Sequence, residues 1–160
     1  SAGCAEYVAD GESKKERRQE KKKSNKNQPQ RLLLTWLVEH PEMYQYIRAY
    51  IGADDFIEPL YHSVAIMLFE QLDNEEKINP AAILSRFTDA EEQKEIAAIF
   101  TTHLKYGLSS EDEDKALSDV VRKVKLASIE DEMVHTSDIV RWQELLSLKN
   151  KMQKFSISRS

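Results

Sequence analysis

The stretch SDIVRWQELLSLKNKMQKF, residues 137–155, carries the apolar spacing of an α-helix over an unusually wide arc. Five apolar side chains recur at intervals of three or four residues and form one stripe: Trp142, Leu145, Leu148, Met152 and Phe155. Ile139 and Leu146 widen this stripe to roughly half of the circumference. One antiparallel neighbour typically covers a stripe of about 100°. The remainder must therefore be covered by the rest of the molecule, by a second copy of the chain or by a partner protein.

The preceding helix changes its apolar face midway. After Ser110, at about 100° per residue, one side collects four apolar side chains: Leu117, Val120, Val121 and Val124. Beyond Lys125, the opposite side collects Leu126, Ile129 and Met133. Because a helix packed on one core has no reason to switch faces, we expect its first half in a bundle and its second half in a hairpin. The turn HTSD, residues 135–138, would place Ser137 or Thr136 as the N-cap of the last helix.

Helical spacing extends back to residue 30. All four prolines lie at or before Pro80, and only two glycines follow residue 30. Three capping patterns predict further helix starts: Asn79 before Pro80, Thr88 with Glu91, and Ser110 with Glu113. We therefore predict an all-α fold, with a multi-helix bundle over residues 30–125 followed by a C-terminal helical hairpin over residues 126–160.

The N-terminal part of the chain differs in charge from the rest. Residues 1–30 hold eight Lys/Arg and five Asp/Glu, a net charge of +3, whereas residues 31–160 have a net charge of −8. Residues 11–30 contain no Val, Ile, Leu or aromatic residue, so they cannot bury enough apolar surface to fold. We predict a charged flexible linker over residues 1–29, opened by cloning remnants, and expect the chain to be a C-terminal piece of a longer protein. The acidic remainder is a poor surface for duplex DNA.

The residues that carry chemistry are sparse and scattered. Cys4 is the only cysteine, and the four histidines lack the spacing of a metal site: His40, His62, His103 and His135. The acidic clusters lack the spacing of a calcium loop, and no phosphate-binding loop or nucleophile motif occurs. No apolar run reaches the roughly 18 residues of a membrane span. We predict a cytoplasmic domain without catalytic residues, cofactor, metal or membrane contact.

Three segments carry a resemblance to a known family. They are RLLLTWLVEHPEMY (residues 31–44), DDFIEPLYHSVAIMLFEQL (residues 54–72) and INPAAILSRF (residues 78–87). Together with the acidic-capped helix and the terminal hairpin after them, they resemble the C-terminal helicase-binding domain of bacterial DNA primase, DnaG. The resemblance covers residues 30–160 and rests on the order and spacing of the segments. A charged linker ahead of this domain is also typical of the family.

The resemblance implies an adaptor rather than an enzyme. Such a domain docks on the N-terminal collar of the replicative helicase DnaB, places primase at the fork for RNA primer synthesis in DNA replication, and modulates the helicase. The parent protein would be DNA primase, a DNA-directed RNA polymerase. We expect the hairpin to dock through eight residues: Ile139, Trp142, Leu145, Leu146, Leu148, Lys149, Met152 and Phe155. Removing everything after Thr136 should then leave a folded bundle that no longer binds the helicase.

Three alternatives stay open at this point. The chain could be the N-terminal domain of the replicative helicase itself, which has a similar fold. It could be a nucleic-acid-binding helical domain, although its acidic balance argues against direct nucleic-acid binding. It could also be a self-associating hairpin. We expect a monomer, with a dimer through the hairpin as the other state.

Overall fold

The computed structural model describes residues 14–15, 17–18, 26–104 and 109–159. Within these residues the fold is all-α, as predicted, with seven α-helices and no strand. The helices are α1 (residues 26–39), α2 (Tyr44–Ile47), α3 (Pro59–Asp73), α4 (Pro80–Leu84), α5 (Ala90–Thr101), α6 (Ser110–His135) and α7 (Ile139–Gln153). Two 3-10 turns, Pro41–Met43 and Ala53–Asp55, flank α2.

The first helix begins inside the predicted linker. Most of residues 1–29 lie outside the described residues, but residues 14–15, 17–18 and 26–29 are helical, and residues 26–29 form the first turn of α1. Side chains of this turn are held by the start of α3, where the Asn27 amide donates to Glu58 at 3.0 Å. The buried Gln30 side chain also accepts from the Glu58 backbone N–H at 3.1 Å. These polar contacts order a turn that has no apolar residues to bury.

Helix α1 lies at the centre of the core. Residues 33–37 are all buried, and five consecutive positions cannot share one face of a helix, so α1 is covered around most of its circumference. The same core cluster contains buried side chains of α3, α5 and α6, among them Val64, Leu68, Ile96, Ile99, Leu117 and Val121. Full burial of each such side chain stabilises the fold by roughly 2 kcal/mol. The predicted apolar spacing therefore produces one continuous core.

The helix starts are confirmed to within one residue. Asn79 caps α4 and accepts from the Ala82 backbone N–H at 3.2 Å, as predicted. The other caps are each displaced by one residue from the prediction: Asp89 instead of Thr88, Ser109 instead of Ser110, and Asp138 instead of Ser137 or Thr136. In each case two cap-forming residues are adjacent, and packing of the helix decides between them. A carboxylate is further favoured at two of these starts by the helix dipole.

The hairpin forms as predicted, but it is not a separate unit. Helix α6 is continuous, so the predicted boundary at residues 125–126 falls inside it. Helix α7 returns antiparallel along the second half of α6, with Lys149 at 3.4 Å from Glu130. Four residues from the hairpin and the segment after it are buried in the same core as the bundle: Leu145, Met152, Phe155 and Ile157.

The segment after α7 ties the hairpin to the bundle. Residues 154–159 continue in the direction of α7 along the first half of α6. There the Ile157 backbone N–H donates to the Ser118 hydroxyl at 2.9 Å. The Arg159 guanidinium donates to Asp114 at 2.6 Å. Removal of residues 137–160 would take four buried side chains out of the shared core, so we expect the cut to destabilise the bundle. That the bundle stays folded without them stays an untested prediction.

A second connection lies where α6 leaves the bundle. The Asp55 carboxylate, in the second 3-10 turn, accepts from the Lys125 ammonium at 3.0 and 3.1 Å and from the Ser128 hydroxyl at 2.8 Å. It also accepts from the Gly52 backbone N–H at 2.8 Å. Both charged side chains are mostly buried, with 13% of Asp55 and 18% of Lys125 exposed. This ion pair fixes the middle of α6 against the bundle.

We predict that Asp55→Asn lowers the free energy of unfolding by about 2 kcal/mol, because it leaves the Lys125 ammonium without its countercharge. The neighbouring Asp54 is exposed and offers a matched control, since Asp54→Asn should change stability by less than about 0.5 kcal/mol. Urea unfolding followed by circular dichroism measures both variants. Equal unfolding midpoints would contradict the role given to Asp55.

Candidate protein-docking surface

Helix α7 carries two apolar faces. Leu145 and Met152 lie on the face that packs on α6 and the bundle, and both are buried. Ile139, Trp142 and Leu146 follow one another at intervals of three and four residues, on a face roughly 100° away around the helix axis. The wide apolar arc predicted for this helix therefore consists of two adjacent faces. One is covered by the rest of the molecule, and the other is exposed.

The exposed apolar side chains of the molecule concentrate at the end of this hairpin. In residues 26–104 and 109–159, seven large apolar side chains are exposed, and five of them lie within residues 134–146. These five, here called the hairpin-tip patch, are Val134 (80% exposed), Ile139 (75%), Val140 (64%), Trp142 (41%) and Leu146 (38%). The other two, Tyr50 and Ile66, belong to the bundle. An apolar patch of this kind on a folded domain is typical of a protein-interaction site.

The eight predicted docking residues divide between the two faces. Ile139, Trp142 and Leu146 are exposed in the patch, and Lys149 is half-buried on its flank. Leu148 is also half-buried, but it packs against the core. The prediction for the remaining three is corrected, because the chain's own core already buries Leu145, Met152 and Phe155. Their apolar spacing is explained by packing within the chain, which for Phe155 includes the Tyr50 ring of the bundle at 4.7 Å between ring centroids. That the exposed residues bind a partner stays a prediction.

Sequence reasoning missed two residues of the patch. Val134 ends the apolar pattern of α6, and Val140 lies off the main stripe of α7. Both lie near the turn at residues 136–138, and both are exposed. An apolar residue directly beside a polar hairpin turn was the signal that could have identified them.

A three-residue ion-pair network closes the hairpin near its tip. The Arg141 guanidinium donates to both Glu132 oxygens, at 2.6 and 2.8 Å, and to Glu144 at 3.3 Å. Its hydrogen bonds hold the pKa of Glu132 below the usual range, and those to Glu132 and Glu144 raise the pKa of Arg141. The pairing is thus complete at neutral pH and is lost as the pH falls through the lowered pKa of Glu132. The two helices are thereby held together beneath the patch.

A groove lies on the bundle, at the surface formed by α1, α3 and α5. It has a volume of about 640 Å³ and is lined by residues of α1, α3 and α5, including Arg31, Glu58 and Glu95. The Tyr61 hydroxyl donates to Glu95 there, and burial followed by this hydrogen bond raises the pKa of Tyr61. Charges of both signs line this groove, and Glu58 and Glu95 accept hydrogen bonds there from Asn27 and Tyr61.

Two further features bear on the predicted chemistry. In the part of the chain that the structure describes, no three His, Cys, Asp or Glu side chains come together as metal ligands would. The described histidines bond to nearby acceptors: His62 to the Ala53 carbonyl at 2.9 Å and His103 to Glu39 at 3.0 Å.

Of the helices described, none combines the length and the apolar composition of a membrane span.

The adjacent leucines of α7 allow a direct test of its two faces. We predict that Leu145→Ala lowers the free energy of unfolding by about 3 kcal/mol, because it opens a cavity in a buried position. Leu146→Ala removes the same atoms from an exposed position and should cost less than about 0.5 kcal/mol. Chemical unfolding of both variants measures the difference. A similar loss at both positions would show that α7 does not have a covered and an open face.

Comparisons with known proteins add no relative to this description. No family model, no curated protein and no solved structure matches the chain.

Proposed function

We propose that this chain is a protein-interaction domain that docks, through its hairpin-tip patch, on the replicative helicase and so recruits DNA primase for RNA primer synthesis. The observation that carries the proposal is the concentration of exposed apolar side chains at the end of a rigidly held hairpin. The domain itself would have no catalytic role. The polymerase activity would belong to the parent primase, acting at the replication fork in the cytoplasm.

The shape of the patch suits docking into a groove between helices. Trp142 lies at its centre along α7, with Ile139 one turn before it and Leu146 one turn after it. Tryptophan is among the residues that contribute most to binding when a partner surrounds them. An amphipathic helix that offers anchors at such intervals typically enters an apolar groove. Lys149 would lie at the polar edge and influence orientation and association rate.

The choice of the helicase as partner rests on the resemblance. Three segments carry it: residues 31–44 cover most of α1 and the turn after it, residues 54–72 cover most of α3 and the turn before it, and residues 78–87 cover α4. The adaptor role is also consistent with the acidic balance of residues 31–160, which disfavours binding to DNA. A docked domain whose affinity differs between two helicase conformations must shift the equilibrium between them. Modulation of the helicase would follow without any contact to its nucleotide site.

We predict that Trp142→Ala weakens binding to the helicase collar by at least about 30-fold, the effect of losing an interface residue worth about 2 kcal/mol. Ile139→Ser should weaken it by about tenfold. Isothermal titration calorimetry with the purified collar domain measures both affinities.

Ile66→Ser provides the matched control for Ile139→Ser. Ile66 is also an exposed isoleucine on a helix, but it lies on α3, away from the patch. This variant should bind the collar with the affinity of the unaltered domain. Full affinity of Trp142→Ala would contradict the proposal. So would an unaltered domain that fails to bind the collar but retards DNA in a salt-dependent manner.

A further inference from the structure

The open face of α7 has opposite charges at its two ends. Asp138, the N-cap, precedes Ile139, and Lys149 follows Leu146 by less than one turn. Asp138 and Lys149 are eleven positions apart, which at about 100° per residue is three full turns plus about 20°. Both charges therefore lie on the same flank of the apolar stripe. They are about 16 Å apart along the helix axis. The other flank carries neutral residues, Gln143 and Asn150.

This arrangement is complementary to itself. A two-fold axis at the level of residue 144, on the side of the apolar stripe, would relate two antiparallel copies of α7 so that Trp142 meets Leu146 of the second copy. The same axis brings Asp138 opposite Lys149 of the second copy, and each of these contacts occurs twice. A parallel pairing would instead bring both charges against the neutral flank and lose their attraction. Charge and apolar spacing therefore favour the antiparallel register.

We propose that α7 pairs with α7 of a second copy of this chain in the antiparallel register, and that this pairing masks the docking surface until the helicase displaces it. The masking role rests on the proposed function, whereas the pairing itself does not. The apolar stripe is a few side chains long, which is small beside the roughly 1,200–2,000 Å² buried in stable complexes. The dimer should therefore be weak and concentration-dependent, and a better-fitting partner would separate it.

Existing contacts of the two charged residues are compatible with this pairing. The Asp138 oxygen Oδ1 accepts from the Val140 and Arg141 backbone N–H groups at 3.0 and 3.3 Å, so the carboxylate is held at the start of the stripe. The Lys149 ammonium lies 3.4 Å from Glu130 and is held at the other end. Each of the two charged side chains thus already has a contact within one copy.

A zero-length carbodiimide cross-link between Asp138 and Lys149 tests the register. Within one copy the two side chains are about 16 Å apart along α7, so a bond without a spacer cannot join them. In a mixture of ¹⁵N-labelled and unlabelled chains, we expect mass spectrometry to find this linked peptide pair in mixed-isotope form. Absence of the mixed pair at concentrations where sedimentation shows a dimer would overturn the register, and a monomer at all concentrations would overturn the pairing.

Three single substitutions separate the pairing from other roles of Lys149. Lys149→Gln should weaken the dimer by about threefold to tenfold, the effect expected for loss of a charge pair at each end. Lys151→Gln removes the same charge from the other side of α7 and should leave the dimer unchanged. Glu130→Gln removes the contact of Lys149 within the chain and should also leave it unchanged. Equal effects of Lys149→Gln and Lys151→Gln in sedimentation equilibrium would overturn the inference.

The outcome is distinguishable from that of the proposed function. Added helicase collar should lower the yield of the Asp138–Lys149 cross-link in proportion to its occupancy of the patch. A chain that stays monomeric but binds the collar through Trp142 would overturn only the pairing. A chain that forms the cross-linked dimer but does not bind the collar would overturn only the helicase proposal and the masking role.

Discussion

The structure depends on the way α6 buries two different faces. Its first half packs Leu117, Val121 and Val124 into the bundle, and its second half offers Ile129 to α7. One continuous helix of 26 residues thus belongs to both parts of the molecule. Since α7 uses one face to cover the second half of α6, its other face is left without a neighbour. The hairpin-tip patch is the direct consequence of this geometry.

Polar contacts hold the helices of the hairpin in place relative to the bundle. The Asp55–Lys125 ion pair holds the middle of α6, and the segment that ends at Arg159 holds the base of α7. Near the tip, Arg141 joins the two helices of the hairpin through Glu132. A docking surface that is ordered before binding loses less conformational entropy when a partner arrives. The bundle can therefore be understood as a platform that orients the tip.

Much of the fold could be predicted because helical periodicity is a local property of the sequence. The change of face at Lys125 was enough to predict the hairpin. Some predicted N-caps differ from the observed ones by one residue. Thr88 and Asp89, for example, are both good N-cap residues, and the sequence alone does not tell that Asp89 is used. The docking residues were harder to predict than the helices. Leu145 and Leu146 both belong to the apolar arc, and periodicity alone does not tell which of them is covered by a neighbour. Val134 and Val140 were missed because their exposure depends on where the hairpin ends.

The central claim is that the open face of α7 receives the partner while its covered face remains in the core. Methyl cross-saturation from the helicase collar tests it most directly, on a domain labelled at its isoleucine and leucine methyl groups. The account predicts saturation transfer to Ile139 and Leu146 and none to the buried Leu145. Transfer to Leu145, or transfer confined to Ile66 and the rest of the bundle, would contradict it.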